Sequence, residues 1–333
     1  MFSMISGRAS SHADEADETV GQAIGRALEF LRQRQDASGA IHEGQYRTAM
    51  TALAGMAYLA AGHVPTDPTP EAETLRKALV YILDESRQDK NGYYGIDGSR
   101  MYGHGMVTLF LSEVIGMAES PEQERQIWSR LEKALALIAR AQQVKSPSDR
   151  MHYGGWRYEP NSQDSDLSVT VWQLLSLRGA QNAALEVPAE VIEAAVGYVR
   201  RCFGGRAFGY QPQNEPRFTP AAYGLLSLQV CGEYEAPEVI RAAEWLSREE
   251  VHARHVNFYY GIYYYAQAMH QRGGELAREA RRRVVGVLLP MQEADGGWSP
   301  RANSERRGGR VYATAMATLA LSVRYHYLPI YQR

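Results

Sequence analysis

A passage that recurs along the chain limits the folds that this sequence can adopt. It consists of an amphipathic segment, a loop rich in glycine and aromatic residues, and a segment of small and apolar residues. Five of the loops are residues 35–39, 88–95, 142–156, 202–209 and 292–298. Repetition of this kind is typical of arrays and closed rings built from one structural unit. The sequence therefore predicts about six copies of one helical repeat.

The predicted helices are of two kinds. The stretches from about residue 20 to 33 and from residue 121 onward place apolar side chains on one face, as Ile127, Leu131 and Leu135 do. The stretches 48–61 and 312–321 are small or apolar on nearly every face, which is typical of helices buried on all sides. The second kind must lie inside the first. We therefore predict an all-α fold, an (α/α)6 toroid of six outer and six inner helices.

Local signals support the same division of the chain. Pro121, Pro188 and Pro237 are expected to open outer helices, and Thr219 is expected to cap an inner helix ahead of Pro220. The aromatic run 258–265 also has strand propensity, but its place in the repeat predicts an inner helix.

Composition limits the function classes. The chain has 333 residues and a net charge of -2, and it lacks the basic stripe of a nucleic-acid-binding protein. Its two cysteines, Cys202 and Cys231, match neither a disulfide framework nor a metal-ligand spacing, which favours the cytoplasm. No apolar run is long enough to span a bilayer. We expect one toroid domain over residues 17–333 after a disordered tail, 1–16, and leave peripheral membrane contact and a partner chain open.

The loop residues Gln292, Gly296 and Trp298 carry a resemblance to a known family. The chain resembles the squalene cyclase and prenyltransferase repeat superfamily, whose loops carry a Gln followed by Gly-x-Trp. The resemblance covers the chain from about residue 20 to its end and is greatest to the single-toroid bacterial proteins of that superfamily. It implies the toroid fold and a terpene cyclase-like protein that binds an isoprenoid or triterpenoid-type lipid.

The stretch 154–168 contains the candidate acid. Class II cyclases of this superfamily protonate an alkene or epoxide with the middle Asp of an Asp-x-Asp-Asp motif. The resemblance implies that Asp166 is this acid and that Asp164 is the first Asp, whereas Leu167 replaces the last one. Burial favours a neutral carboxyl and a helix N-terminus favours the anion. A cap on the following inner helix is the alternative role for Asp164 or Asp166.

The same stretch aligns with the zinc site of protein prenyltransferases, in which an Asp is followed two residues later by a Cys. This chain has Ser168 there, and the later inner helices begin with 258–260 and 311–313, which supply no His ligand. Since three protein ligands are usual for zinc in such enzymes, we predict no metal and no other cofactor.

Aromatic side chains of the inner helices are the candidate substrate-binding residues, because aromatic faces stabilise cations. His104 is a further candidate, placed to orient the acidic Asp, and the alternative is a satisfied core histidine. Packing between helices is the alternative role of the tyrosines. Arg306, Arg307 and Arg310 could hold a diphosphate or simply be solvated. The predicted substrate-binding residues are Tyr102, Trp156, Trp172, Tyr260, Tyr263 and Tyr312.

Three functions are compatible with these residues. The leading hypothesis is a terpene cyclase-like protein that binds an isoprenoid and protonates it through Asp166. The second is a non-catalytic toroid that binds a lipid or a protein, which Leu167 favours. The third, carbohydrate hydrolysis, requires two carboxylates about 5 to 10 Å apart. Asp164 and Asp166 are too close in sequence to supply that spacing alone.

Overall fold

The computed structural model describes the backbone of residues 4–325 and 327–331, and the side chains of residues 17–325 and 327–331. Among these residues β-pairing is limited to three isolated bridges. The helices are α1 (Met4–Arg32), α2 (Arg47–Ala60), α3 (Pro70–Leu83), α4 (Arg100–Glu113), α5 (Pro121–Gln142), α6 (Leu167–Asn182), α7 (Ala189–Arg201), α8 (Phe218–Val230), α9 (Pro237–Arg248), α10 (Phe258–Arg272), α11 (Gly274–Leu288) and α12 (Gly309–Leu321).

The even-numbered helices form a closed inner ring, in which each packs against the next and α12 packs against α2. The odd-numbered helices lie outside them, as α3 does against α2 and α11 against α10. Every residue of α8 is buried, whereas α9 buries only Val239, Ala242, Ala243 and Leu246. The fold is the predicted (α/α)6 toroid, and the aromatic run 258–265 belongs to inner helix α10.

Most predicted helix starts agree with the structure, and one is wrong. Pro121 and Pro237 occupy the first turns of α5 and α9. Thr219 does not cap α8, because the helix begins one residue earlier at Phe218. The Thr219 hydroxyl instead donates to the Val256 carbonyl oxygen, 2.9 Å away in the loop before α10.

The expected disordered tail, 1–16, stays a prediction. Residues 1–3 lie outside the described residues, and the side chains of residues 4–16 do as well. The described backbone of α1 begins at Met4.

The glutamines of the repeated loops join neighbouring outer helices. In each case the side-chain amide donates to the carbonyl oxygen of a glycine in its own loop and to a carbonyl of the next outer helix. Gln142 thus donates to Gly154 and to Val191 of α7, with both N···O distances 2.9 Å. The equivalent residues Gln35, Gln88 and Gln292 reach Thr74 of α3, Arg130 of α5 and Ala23 of α1. This double hydrogen bond, here called the glutamine clamp, explains why the loops repeat a Gln and a Gly.

A second set of contacts links the start of each inner helix to the loop that precedes the next one. Asp97, ahead of α4, accepts from the backbone N–H groups of Thr48 and Ala49 in α2. Glu305, ahead of α12, accepts from Tyr259 N–H in α10. Because unpaired N–H groups at a helix start need acceptors, these contacts hold the loops together at one end of the toroid.

The chain's end covers the other end of the toroid. The 3₁₀ turn Pro329–Tyr331 packs against α6. Ile330 N–H donates to the buried carboxyl of Glu113 at the end of α4, at 3.2 Å from Oε1. The hydroxyls of Tyr331 and Tyr263 share a hydrogen bond. The toroid is therefore closed at this end and accessible at the loop end.

Candidate active site

A cavity of about 1660 Å³ opens at the end of the toroid where the loops enter the inner helices. It is larger than the roughly 300–1,000 Å³ usual for small-molecule sites, and it includes a wide mouth. Its wall is rich in tyrosine: Tyr46, Tyr102, Tyr158, Tyr210, Tyr223, Tyr260 and Tyr312.

Asp166 lies behind this wall. Its side chain is 0% exposed and it is not among the lining residues. It caps α6, since its Oδ1 accepts from Val169 N–H at 2.9 Å. Asp166 therefore caps α6, as the alternative role required, and it also makes contacts that a cap does not need.

Two chains of hydroxyl groups connect Asp166 to the cavity. The first runs from Asp166 Oδ1 to Ser168 Oγ at 2.7 Å and on to the Tyr102 hydroxyl at 2.6 Å. The second runs from Oδ2 to the Tyr210 hydroxyl at 2.7 Å and on to Tyr158 at 2.8 Å. All four hydroxyl residues line the cavity. These side chains therefore form two hydrogen-bonded routes by which a proton held at Asp166 can reach the cavity.

Arg157 is the cation at this site. Its Nε lies 2.9 Å from Asp166 Oδ2, and its Nη1 donates to Asp164 Oδ2 at 2.5 Å. The Asp164 side chain is 49% exposed, so this carboxylate faces solvent while Asp166 does not. The Arg157 guanidinium also lies over the Tyr158 ring, 4.8 Å from its centroid.

Burial raises the pKa of Asp166 above its usual range, because a charge is poorly solvated there. The hydrogen bonds from Ser168, Tyr210 and Val169 N–H and the charge of Arg157 act in the opposite direction. Burial also raises the pKa of Tyr102 and of Tyr210, so both hydroxyls keep their protons at neutral pH.

The mouth of the cavity is charged and its backbone is strained. Arg217, Arg254 and Arg307 line it, as do the carboxylates Asp97 and Glu305 that bind helix starts. Four lining residues have positive φ angles although they are not glycine: Tyr46 at 65°, Arg100 at 60°, Gln213 at 68° and Asn257 at 54°. Such conformations cost about 1–3 kcal/mol each and cluster at functional sites.

Not every predicted site residue lies at the cavity. Tyr102, Tyr260 and Tyr312 line it. Trp172 and Tyr263 lie deeper, stacked with ring centroids 6.3 Å apart. Trp156 packs between helices, where its indole N–H donates to the Ile138 carbonyl.

His104 is not brought to Asp166. Its Nδ1 accepts from Tyr94 N–H at 3.3 Å, and its Nε2 lies 3.2 Å from the Ala134 carbonyl oxygen. Burial lowers its pKa to about 4, which describes a neutral core histidine. The role expected for it is therefore not supported by its contacts.

The three candidate arginines, Arg306, Arg307 and Arg310, lie in different environments. Arg310 pairs with Asp295 and Glu293, away from the cavity. Arg307 lies at the mouth beside the Tyr46 hydroxyl, and Arg306 is exposed.

Within the described residues no three His, Cys, Asp or Glu side chains are grouped as metal ligands. In the same residues no helix is long and apolar enough to cross a membrane.

Sequence reasoning missed three residues of this site: Arg157, Tyr158 and Tyr210. The first two follow the Gly154-Gly-Trp156 motif directly, and Tyr210 occupies the matching position after Gly209 in the next loop. Alignment of the repeated loops with one another would have identified these positions as ones that line the cavity at the loop end of the toroid.

The chain matches no protein-family model and no curated protein by sequence. Its fold is similar to that of solved structures. A variant of the type II terpene cyclase MstE from Scytonema, in complex with merosterolic acid A (product), has a TM-score of 0.58 and 16% identity, covering 94% of this chain and 99% of that one. Another MstE variant, in complex with geranylgeranyl dihydroxybenzoate (substrate), has a TM-score of 0.61 at the same identity and coverage.

A different enzyme has a similar fold as well. The GH76A alpha-1,6-mannanase from Salegentibacter sp. has a TM-score of 0.64 and 10% identity, covering 92% of this chain and 99% of that one. At such identities these comparisons establish a terpene cyclase-like (α/α)6 toroid fold, and the function must be argued from the site.

Proposed function

We propose that this protein binds an isoprenoid in the tyrosine-lined cavity and cyclises it after protonation, an isomerisation of the class II type. The observation that carries the proposal is Asp166, a buried carboxyl joined to the cavity wall by two hydroxyl chains. The similarity of fold to a type II terpene cyclase supports the same function. We also propose membership of the squalene cyclase repeat superfamily, on the Gln and Gly-x-Trp residues of the loops, and a cytoplasmic location.

The tyrosines supply the environment that a carbocation needs. The rings of Tyr223 and Tyr260 pack edge to face, with centroids 5.8 Å apart, and both residues line the cavity. The Tyr260 hydroxyl donates to the Ser168 carbonyl oxygen, which fixes the ring in place. Each aromatic face attracts a cation by about 0.5–2 kcal/mol.

The proton path follows from the geometry. A neutral Asp166 donates to Ser168 Oγ, Ser168 donates to Tyr102, and Tyr102 donates to the substrate, so that each hydroxyl oxygen gives one proton and receives one, while Asp166 gives one. The substrate gains one proton and Asp166 is left as the carboxylate, which Arg157 stabilises at 2.9 Å. The final carbocation loses one proton to solvent and Asp166 takes up one proton from solvent, so that the acid is restored and the product is an isomer of the substrate.

The second candidate is a toroid that binds an isoprenoid without converting it. Arg157 favours this function, because a cation against Asp166 stabilises the carboxylate relative to the neutral acid. A glycoside hydrolase is less well supported. Of the four carboxylate residues that line the cavity, Asp97 and Glu305 are already occupied by backbone N–H groups of α2 and α10, and Glu215 pairs with Arg206, which leaves Glu249 where a hydrolase needs two carboxylates.

The test combines binding with turnover. The purified protein is incubated with isoprenoids from farnesyl to squalene length, as diphosphates, alcohols, epoxides and prenylated hydroxybenzoates, and products are identified by mass spectrometry. We expect a cyclic product from the native protein and none from Asp166→Asn, with unfolding free energies within about 1 kcal/mol because Asn also caps helices. Binding without conversion supports the second candidate, and the absence of both overturns the proposal.

Two matched variants test the path of the proton. Tyr102→Phe removes the hydroxyl that ends the first chain, and Tyr158→Phe removes the one that ends the second. If the first chain delivers the proton, Tyr102→Phe loses most turnover and keeps its affinity for the isoprenoid, while Tyr158→Phe stays active. The opposite pattern would assign delivery to Tyr158, and full activity in both would exclude a relay through these tyrosines.

A further inference from the structure

A single guanidinium connects an exposed carboxylate to the buried Asp166. Arg157 Nη1 donates to Asp164 Oδ2 at 2.5 Å, while Arg157 Nε lies 2.9 Å from Asp166 Oδ2. The Asp164 side chain is 49% exposed and that of Asp166 is 0% exposed. The two carboxylates therefore share one cation across the wall of the site.

We propose that Asp164 acts as a positioning residue that controls the proton on Asp166 through Arg157. This inference rests on the proposed function only for its effect on catalysis. The positive charge of Arg157 favours the anion of Asp166, and a second anion beside the same guanidinium weakens that effect. Removal of the Asp164 charge leaves Arg157 to Asp166 alone, which then holds its proton less firmly.

Arg157 is the charged group that sets the protonation of Asp166, because the other groups around Asp166 carry no net charge. The titratable side chains with an electrostatic effect on Asp166 are otherwise neutral, because burial raises the pKa of each: Tyr102, Tyr198, Tyr210, Tyr223 and Cys202. Ser168 and Val169 N–H contribute hydrogen bonds and no net charge.

The surroundings of Asp164 also hold charges. Lys145 interacts with both Asp164 and Asp149, and burial lowers the pKa of this lysine to about 8. His152 lies on the same loop, where its Nδ1 accepts from Ser165 N–H at 3.2 Å. Neither Lys145 nor His152 is in contact with Asp166 in the ion pairs and hydrogen bonds of the site, so the link from Asp164 to Asp166 runs through Arg157.

The chain offers a matched control for this link. Glu159 lies on the same loop, its side chain is 46% exposed, and it pairs with Arg100 at 3.1 Å. Glu159→Gln therefore removes the same charge from the same loop without changing the partner of Arg157. Asp164→Asn removes the charge that Arg157 contacts.

The experiment measures the proton on Asp166 directly. The full-length protein is labelled with 13C at the aspartate carboxyls, and the Asp166 signal is assigned by its loss in Asp166→Asn. We expect its titration midpoint to fall by about 0.5–1 pH unit in Asp164→Asn, to rise in Arg157→Gln, and to change much less in Glu159→Gln. In the double variant Asp164→Asn, Arg157→Gln the midpoint should match that of Arg157→Gln alone.

Turnover provides the second readout. A neutral acid is active below its pKa, so the loss of activity with rising pH should occur at a lower pH in Asp164→Asn. Equal midpoints in the native protein and Asp164→Asn, or equal shifts in Asp164→Asn and Glu159→Gln, would overturn the inference. The expected titration shifts without any isoprenoid turnover would support the inference and contradict the proposed function, so the two failures are distinguishable.

Discussion

Gly154 lies so close to α7 that a β-carbon at this position would be 2.1 Å from the carbonyl oxygen of Ala194. The contact places the loop against the helix at the point where the glutamine clamp of Gln142 also holds it. Gly154 has a φ of 88°, a conformation that side chains rarely adopt. Two separate constraints, space and backbone conformation, therefore require glycine here.

The first prediction separates these constraints. Gly205 has a similar φ of 83° in the loop before α8, but a β-carbon there would meet no atom within 4 Å. Gly205→Ala should cost about 1 kcal/mol for the backbone alone. Gly154→Ala should cost at least about 2 kcal/mol more, because the loop must move away from α7. Chemical denaturation measures both, and equal losses would contradict the close contact.

The second prediction concerns the clamp itself. Gln142→Met keeps the length of the side chain but leaves the carbonyl groups of Gly154 and Val191 without the amide donor, which should cost about 2–4 kcal/mol. The neighbouring Gln143 is exposed and makes no clamp, so Gln143→Met should have little effect on the free energy of unfolding. Similar effects from the two substitutions would show that the clamp contributes little.

The third prediction concerns pH. Burial raises the pKa of Glu113 from 4.5 to about 8, so between these values the folded chain holds a proton that the unfolded chain has lost. The contribution of Glu113 to stability is therefore fully present below about pH 4.5 and is lost as the pH rises to about 8. Glu113→Gln keeps an acceptor for Ile330 N–H and removes the charge. From pH 5 to 8 its stability relative to the native protein should rise by about 2–4 kcal/mol.

A control for this substitution is Glu85, whose side chain is 98% exposed. Glu85→Gln makes the same substitution at a solvated side chain and should change the free energy of unfolding by less than about 0.5 kcal/mol. A Glu113→Gln variant whose stability runs parallel to that of the native protein from pH 5 to 8 would mean that Glu113 is ionised when folded.

The fourth prediction concerns metal. Ser168, Tyr260 and Ala313 occupy positions where the resemblance to protein prenyltransferases implies zinc ligands, and none of them binds zinc well. The purified protein should contain no stoichiometric zinc, and chelators should leave its unfolding temperature unchanged. About one zinc per chain by elemental analysis would restore the transferase hypothesis.

The fold could be predicted from the sequence because its signals are local and repeated. The contrast between the one-sided apolar pattern of α9 and the fully apolar α8 is visible in the residues themselves. The sequence does not show whether Gln142 or Gln143 forms the clamp, because this depends on which side chain faces α7. The start of α8 was misplaced for a similar reason, since the Thr219 hydroxyl bonds to a loop distant in sequence.

The site was predictable only in part. Asp164 and Asp166 stand out as a motif, but their different exposure and their shared Arg157 arise from the folded loop. Tyr210 joins Asp166 from 44 residues away. The roles of Trp156, Trp172, Tyr263 and His104 were inferred from residue type, and type does not tell which aromatic side chain of an inner helix faces the cavity and which faces a neighbouring helix.

The glutamine clamps also separate one outer helix from the other five. They join α11 to α1, α1 to α3, α3 to α5 and α5 to α7, and so form a collar around five of the six outer helices. The loops that lead into α8 and α10 have no glutamine at the equivalent position, which leaves α9 outside the collar. Helix α9 carries Trp245 of the cavity wall. At this sector Arg283 of α11 donates instead to the Ser247 and Glu249 carbonyl oxygens at the end of α9, both at 3.0 Å. The attachment of α9 to its neighbour therefore depends on a charged side chain, whereas the other outer helices are joined by neutral amides.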